Sequence, residues 1–287
     1  MKSYNYEILQ REIYELKDKH PYLETVTIGK TMLSREIPAL ILGRGSKSVM
    51  YIGGQRGTEG LSTEILMCFV REYLQFYQEK KQIFHIDTGF LFNTRSIFII
   101  PMPNPDGNMI ASQGPSPTHL LYDRQLRINR QQSDFSEWIG NARGVDIGSN
   151  YPQNYTSPEL ASPPQGSIAG EYPESEPESS ALCRFIRQQT LSQKISLLLA
   201  LGTQNRSIRY CEDNSLSLAR ILGARSHLPV SKMELSDECR GLCRWFVSEC
   251  CAPALGIHSG RTENDGASDA SRQYMSLREL FFTSPIL

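Results

Sequence analysis

Three short stretches constrain this chain more than anything else in it: SIFIIPM (96–102), ISLLLALG (195–202) and APALGI (252–257). Each is apolar almost without a break and too short for a buried helix. A strand wetted on one face alternates apolar with polar residues, whereas these do not, so they read as strands covered on both sides. The segments between them have helical periodicity. In LSTEILMCFVREYLQFY, Leu61, Ile65, Phe69, Tyr73 and Phe76 recur on one face. In YPESEPESSALCRFIRQQT, Ser175 and Glu178 have capping-box spacing and Pro177 sits in the first turn. IPALILG (37–43) and SVMYIGG (48–54), separated by RGSK, read as two strands joined by a hairpin-type turn. Strands alternating with helices give an α/β fold with a largely parallel or mixed sheet.

With 39% hydrophobic residues among 287, the chain can bury a full core. It shows no repeat and no convincing domain boundary, so residues 1–287 read as one domain that includes an N-terminal helix over 1–20. A formal net charge of −1 offers no basic face for nucleic acid. No run reaches the ~18 apolar residues of a membrane span. The N-terminus, MKSYNYEILQREIYELKDKH, is charged throughout and has no apolar export region, which points to the cytoplasm. Seven cysteines without a regular framework fit reduced thiols. Cys239 and Cys243 read as packing residues, with a structural metal as the alternative. The sequence carries no signal for an oligomeric state.

Four stretches in order, YIGGQRGTEG (51–60), IPMPNPDG (100–107), WIGNARGVDIGSNYP (138–152) and EYPESEPES (171–179), resemble the zinc carboxypeptidase family, the carboxypeptidase A-like metallopeptidases, and its bacterial branch most. The resemblance implies one α/β domain with a mixed, roughly eight-stranded twisted sheet between helices. It also implies a single zinc held by His-x-x-Glu and a distant histidine, with a fourth position open to water. Carried over residue by residue, Arg56 stands at the first histidine and Glu59 at the glutamate. Gly202, in LGTQ, stands at the distant histidine, and His258, in APALGIHSG, at the general-base glutamate. Arg143 matches the arginine that stabilises the oxyanion. Gly148 and Ser149 replace the Asn-Arg pair that holds the substrate carboxylate.

None of the five histidines, His20, His85, His119, His227 and His258, begins a His-x-x-Glu. An arginine cannot deprotonate to become a ligand, and glycine has no side chain. The expectation is therefore a family member without zinc or peptidase activity, using no cofactor and binding a peptide or muropeptide in the remnant cleft. The alternative is an active metallocarboxypeptidase with an unorthodox metal site, removing C-terminal residues from peptides or peptidoglycan stem peptides. The Arg56 guanidinium is expected to fill the metal position and pair with Glu59; the alternative is that it points to solvent. His258 is either a pocket-wall residue or, with Glu59, a new ligand or base. Asp106 is expected to shape its own turn, and Asp146 to buttress the site loop.

Overall fold

The computed structural model describes residues 4–155, 163–192, 194–260 and 267–287. The strands are β1 (Glu24–Lys30), β2 (Glu36–Gly43), β3 (Lys47–Ile52), β4 (Gln82–Ile83), β5 (Ile86–Asp87), β6 (Arg95–Ile100), β7 (Lys194–Gly202), β8 (Ser207–Tyr210), β9 (Val230–Lys232) and β10 (Ala254–His258). The helices are α1 (Tyr6–Lys19), α2 (Gly60–Gln78), α3 (Thr88–Thr94), α4 (Pro105–Gln113), α5 (Tyr122–Ile128), α6 (Pro177–Ser192), α7 (Leu216–Ser226), α8 (Arg240–Cys250) and α9 (Ala267–Thr283). Eight strands form one mixed sheet in the order β1-β2-β6-β3-β7-β10-β8-β9, and β4 and β5 make a small separate ribbon. The expected mixed, eight-stranded α/β architecture is what forms.

The apolar runs lie in the middle. β6, β3, β7 and β10 are mutually parallel, and both faces of each are covered. Val49, Tyr51, Ile97, Ile99, Leu197 and Leu199 pack on one side against Leu9 of α1, Phe69 of α2, Leu222 of α7 and Phe281 of α9. Met50, Ile52, Phe98, Ile100, Leu198 and Ala200 pack on the other against Leu182 of α6 and Phe246 of α8. No helix among the described residues is long and apolar enough to cross a membrane.

The expected hairpin between β2 and β3 does not form, because β6 lies between them. β2 pairs antiparallel with β6 and β3 pairs parallel with it. The three-residue link, 44–46, passes over the start of β6 instead: Arg44 N donates to Phe92 O at 2.8 Å, and Ser96 Oγ donates to Gly45 O at 2.7 Å. A strand as apolar as Ile97–Ile100 is most stable with neighbours on both edges, which a local hairpin would deny it.

Because the four central strands run parallel, their C-terminal ends meet at one edge of the sheet, and the loops leaving them converge there. Two expected local contacts are replaced by longer-range ones that pin these loops. Asn104 caps α4, accepting from Gly107 N at 2.9 Å, so Asp106 does not shape its own turn. Its carboxylate reaches across to Arg35 Nη1 at 2.6 Å and accepts from Leu33 N at 2.9 Å. The Ser175–Glu178 capping box is also absent. Ser175 Oγ donates to Glu176 Oε1, while Asn141 Nδ2 donates to Glu176 Oε2 at 2.8 Å and to Glu178 Oε2 at 2.9 Å. Asn141 Oδ1 in turn accepts from the backbone of Arg143 and Val145. The loop 141–145 is thereby fastened to the start of α6.

Burial pushes Glu178 up to about 7, against the opposing hydrogen bond from Asn141. Its Oε1 has no partner, as suits a neutral carboxyl group. A raised folded-state pKa makes this contribution greatest below the ordinary value of 4.5 and removes it as pH climbs to about 7. Urea unfolding of wild type and Glu178→Gln across pH 4–8 should show the wild type losing stability relative to the variant between about 4.5 and 7, then running parallel. A difference independent of pH would contradict a buried neutral Glu178.

Candidate functional site

The turn that leaves β3 sets the geometry. Gly54 takes a φ of +54°, and a Cβ there would stand 2.6 Å from Thr63 Oγ1 and 2.8 Å from Pro101 O, so only glycine fits. Ser62 Oγ accepts from Gly54 N at 2.9 Å and donates to Glu59 O at 2.9 Å. This folds residues 55–59 back on themselves and directs the Glu59 side chain inward at the start of α2. Glu59 is buried, and its Oε2 accepts from Gln55 N at 3.0 Å and Arg56 N at 3.2 Å. Tyr151 Oη donates to Gln55 Oε1 at 2.9 Å and closes the turn from the far side.

The Arg56 guanidinium neither points to solvent nor pairs directly with Glu59. Its Nη2 donates to Asp146 Oδ2 at 2.9 Å, and its Nη1 lies 3.4 Å from Glu238 Oε2. The physical reason is the state of Glu59. Burial, and then the charge of Glu238, push its pKa up to about 8 despite Arg56 and the backbone donors. A neutral carboxyl satisfied by main-chain N–H groups is a poorer partner than two ionised carboxylates. Burial works against the Arg56 charge, but Asp146, then Glu59 and Glu238, outweigh it and raise its pKa.

The end of β10 brings a second set of charges to the same place. His258 is fully buried, with Nε2 3.2 Å from Asp237 Oδ2 and Nδ1 3.4 Å from Glu238 Oε1. Neither contact is aligned as a hydrogen bond. They act as charge contacts, and against the effect of burial they raise the His258 pKa. Burial likewise resists ionisation of Asp237 and Glu238, yet the adjacent His258 holds both below the usual carboxylate range. Arg209 adds to this at Asp237, and Arg56 at Glu238. Arg209 Nη1 donates to Asp237 Oδ2 at 2.9 Å. Arg56, Arg209 and His258 thus face Asp146, Asp237 and Glu238, an arrangement whose formal charges balance with Glu59 neutral.

Position 202, where the resemblance sets the distant histidine, lies against this cluster. A Cβ there would overlap Glu238 Oε1 and stand 2.7 Å from His258 Nδ1. Gly148 and Ser149 sit in the turn that Asp146 caps. Gly148 N donates to Asp146 Oδ1 at 3.0 Å, and Ser149 Oγ donates to Asp146 O at 2.9 Å. Neither supplies a cation. Arg143 lies apart from the cluster, with Glu171 Oε1 at 3.1 Å and Glu176 Oε1 at 3.9 Å as its ionic partners. Among the described residues, Asp237, Cys239 and His258 form the group whose ligand atoms could hold a metal ion, all within 4.8 Å of one another. Two of the three already have other partners: Arg209 holds Asp237, and Cys239 Sγ lies 3.5 Å from Ala200 O, with burial raising the thiol pKa. Cys243 packs in the core on that face.

The fold and the order of these elements define a metallopeptidase scaffold. The family model for zinc carboxypeptidases (Peptidase_M14) matches residues 9–247, and the chain belongs to that family. A gamma-D-glutamyl-L-diamino acid endopeptidase 1 from Lysinibacillus sphaericus is 29% identical over 273 residues, spanning 91% of this chain and 67% of that protein. A protein named inactive metallocarboxypeptidase, from Paracoccidioides lutzii, is 25% identical over 202 residues, spanning 66% of this chain and 31% of the other. The crystal structure of carboxypeptidase A from Helicoverpa armigera superposes with a TM-score of 0.69 at 17% identity, covering 96% of this chain and 70% of that one, a likeness of fold.

Asp237, Glu238 and Arg209 escape a reading of the sequence. The signal was the acidic pair in SDECRG, just before the α8 helix. Removing one partner of a largely buried ion pair strands the other. Arg56→Ala should therefore lower unfolding free energy by about 3 kcal/mol in urea titrations. A change below about 0.5 kcal/mol, as for an exposed pair, would show that the guanidinium does not hold the cluster together.

Proposed function

We propose that this protein is a zinc carboxypeptidase family member that holds no zinc at the family position and has no peptidase activity. On this reading it binds peptide or cell-wall-fragment ligands in the remnant cleft. One observation carries the proposal: the Arg56 guanidinium lies between Asp146 and Glu238, where the family has a histidine ligand. A catalytic zinc requires several ligand atoms in fixed geometry and one open position. Here position 56 offers a permanent cation and position 202 offers no side chain. Glu59 is the sole family ligand retained. These residues do not fit the family's zinc. The relative named as an inactive metallocarboxypeptidase is support by analogy that such a frame can lack the activity. The endopeptidase relative, by its name, acts on gamma-D-glutamyl-diamino acid linkages, and this favours muropeptides as the first ligands to screen.

A second reading has its own observation. Asp237, Cys239 and His258 are close enough to share a metal ion, and an enzyme built on that trio would be a metallopeptidase with a displaced site. The two readings part on one sample. After zinc loading and desalting, metal content by mass spectrometry should be near zero and carboxypeptidase substrates should stay intact, while muropeptides or peptides raise the melting temperature. Stoichiometric zinc that His258→Ala abolishes would establish the displaced site instead. Absence of any thermal shift with either ligand class would remove the binding role.

A further inference from the structure

A glycine in place of a ligand explains a missing donor but not what fills the space. Here the space belongs to Glu238. Its side chain is 6% exposed and comes from the segment between β9 and α8. Oε1 accepts from the main-chain N–H groups of Thr203 and Gln204, the latter at 3.1 Å. His258 Nδ1 stands 3.4 Å from the same oxygen, and Arg56 Nη1 stands 3.4 Å from Oε2. A guanidinium and two adjacent main-chain N–H groups donate to one carboxylate, and an imidazole stands beside it. That is the donor set by which proteins recognise a carboxylate ligand.

The anchoring of the segment points the same way. Asp237 Oδ1 accepts from Cys239 N at 2.9 Å, and Asp237 Oδ2 is held by Arg209 at 2.9 Å. Both bonds tether the backbone on either side of Glu238. Ordering a flexible glutamate side chain in a buried position costs rotamer entropy. Burying its charge costs more unless every oxygen is met. Both oxygens are met here, and by groups from three separate strand ends.

The geometry points to a carboxylate-binding cradle formed by Arg56, the main chain of 203–204 and His258, with Glu238 as its built-in occupant, seated where a side chain at position 202 would lie. The cradle deepens the zinc-free reading proposed above and rests on it. It has one further consequence: restoring histidines at 56 and 202 is not enough to open the position, because the Glu238 carboxylate overlaps the first atom of any side chain at 202.

The test is rescue by a small carboxylate. Melting curves of wild type and Glu238→Ala are recorded while sodium formate is titrated against sodium chloride at equal ionic strength. Glu238→Ala is expected to melt lower than wild type and to regain about 2–4 °C saturably in formate. Chloride should not match this, wild type should show no formate-specific rise, and adding Arg56→Gln to Glu238→Ala should abolish the rescue. If Glu238→Ala fails to fold in plain buffer, its refolding yield in formate against chloride gives the same reading. An unchanged melting temperature on removing Glu238, or formate acting no differently from chloride on melting or refolding, overturns the cradle. Metal content answers the zinc-free reading separately, so failure of either is recognisable.

Discussion

The pairing of Arg56 with Asp146 and Glu238 is the interaction on which the functional edge of this fold depends. Parallel strands bring their C-terminal ends together, and the loops that leave them crowd acidic side chains into one buried volume. Glu59, Asp146, Asp237 and Glu238 are all buried there. Four carboxyl groups cannot share a low-dielectric space without cations or protons. The protein uses both. Arg56, Arg209 and His258 supply cations, and Glu59 with its raised pKa supplies the protonated member. The same cluster ties the 146–149 turn, the segment before α8 and the ends of β3, β7 and β10 to one another. Its role in holding the loops is therefore as direct as its role in balancing charge.

Much of this frame was legible in the chain itself. Unbroken apolar runs at 96–102, 195–202 and 252–257 located three of the four central strands, because a strand covered on both faces needs no polar residue. Helical spacing located α2 and α6. The pairing of strands was less legible. β2 and β3 are adjacent in sequence, and the short stretch RGSK suits a hairpin, yet β6 enters between them. Whether a local pairing forms depends on which competitor buries more apolar surface, and that competitor lies more than forty residues downstream. The strands β1, β8 and β9 carry little apolar pattern, since they sit toward the sheet's edges.

The site divides in the same way. Arg56, Glu59, Gly202 and His258 could be placed because each has a fixed position in a motif. Their partners could not, since ionic pairing in a folded chain joins residues remote in sequence: Arg56 and Glu238 are 182 apart. Proximity in sequence suggested Glu59 as the partner of Arg56, three residues on. That reading overlooks the protonation state. Once burial has neutralised Glu59, the guanidinium is left to whichever ionised carboxylates the loops deliver. Asp106 and Glu178 show the same effect on a smaller scale, since each exchanges the expected local turn or cap for a partner more than thirty residues away.

A guanidinium differs from a bound divalent ion in ways that bear on what such a frame can do. It is covalently attached, so the charge that organises the loops is present whenever the chain is folded and does not vary with metal supply. It holds its proton at any physiological pH. It donates along directions fixed by a rigid plane, whereas a metal ion accepts lone pairs and keeps a position open for water. An arginine at this point therefore favours order over reactivity. The loops gain a permanent cation, and the position that would polarise a peptide carbonyl becomes a donor site facing carboxylates. The groups that compensate buried carboxylates within the protein are the same groups that recognise a carboxylate on a ligand.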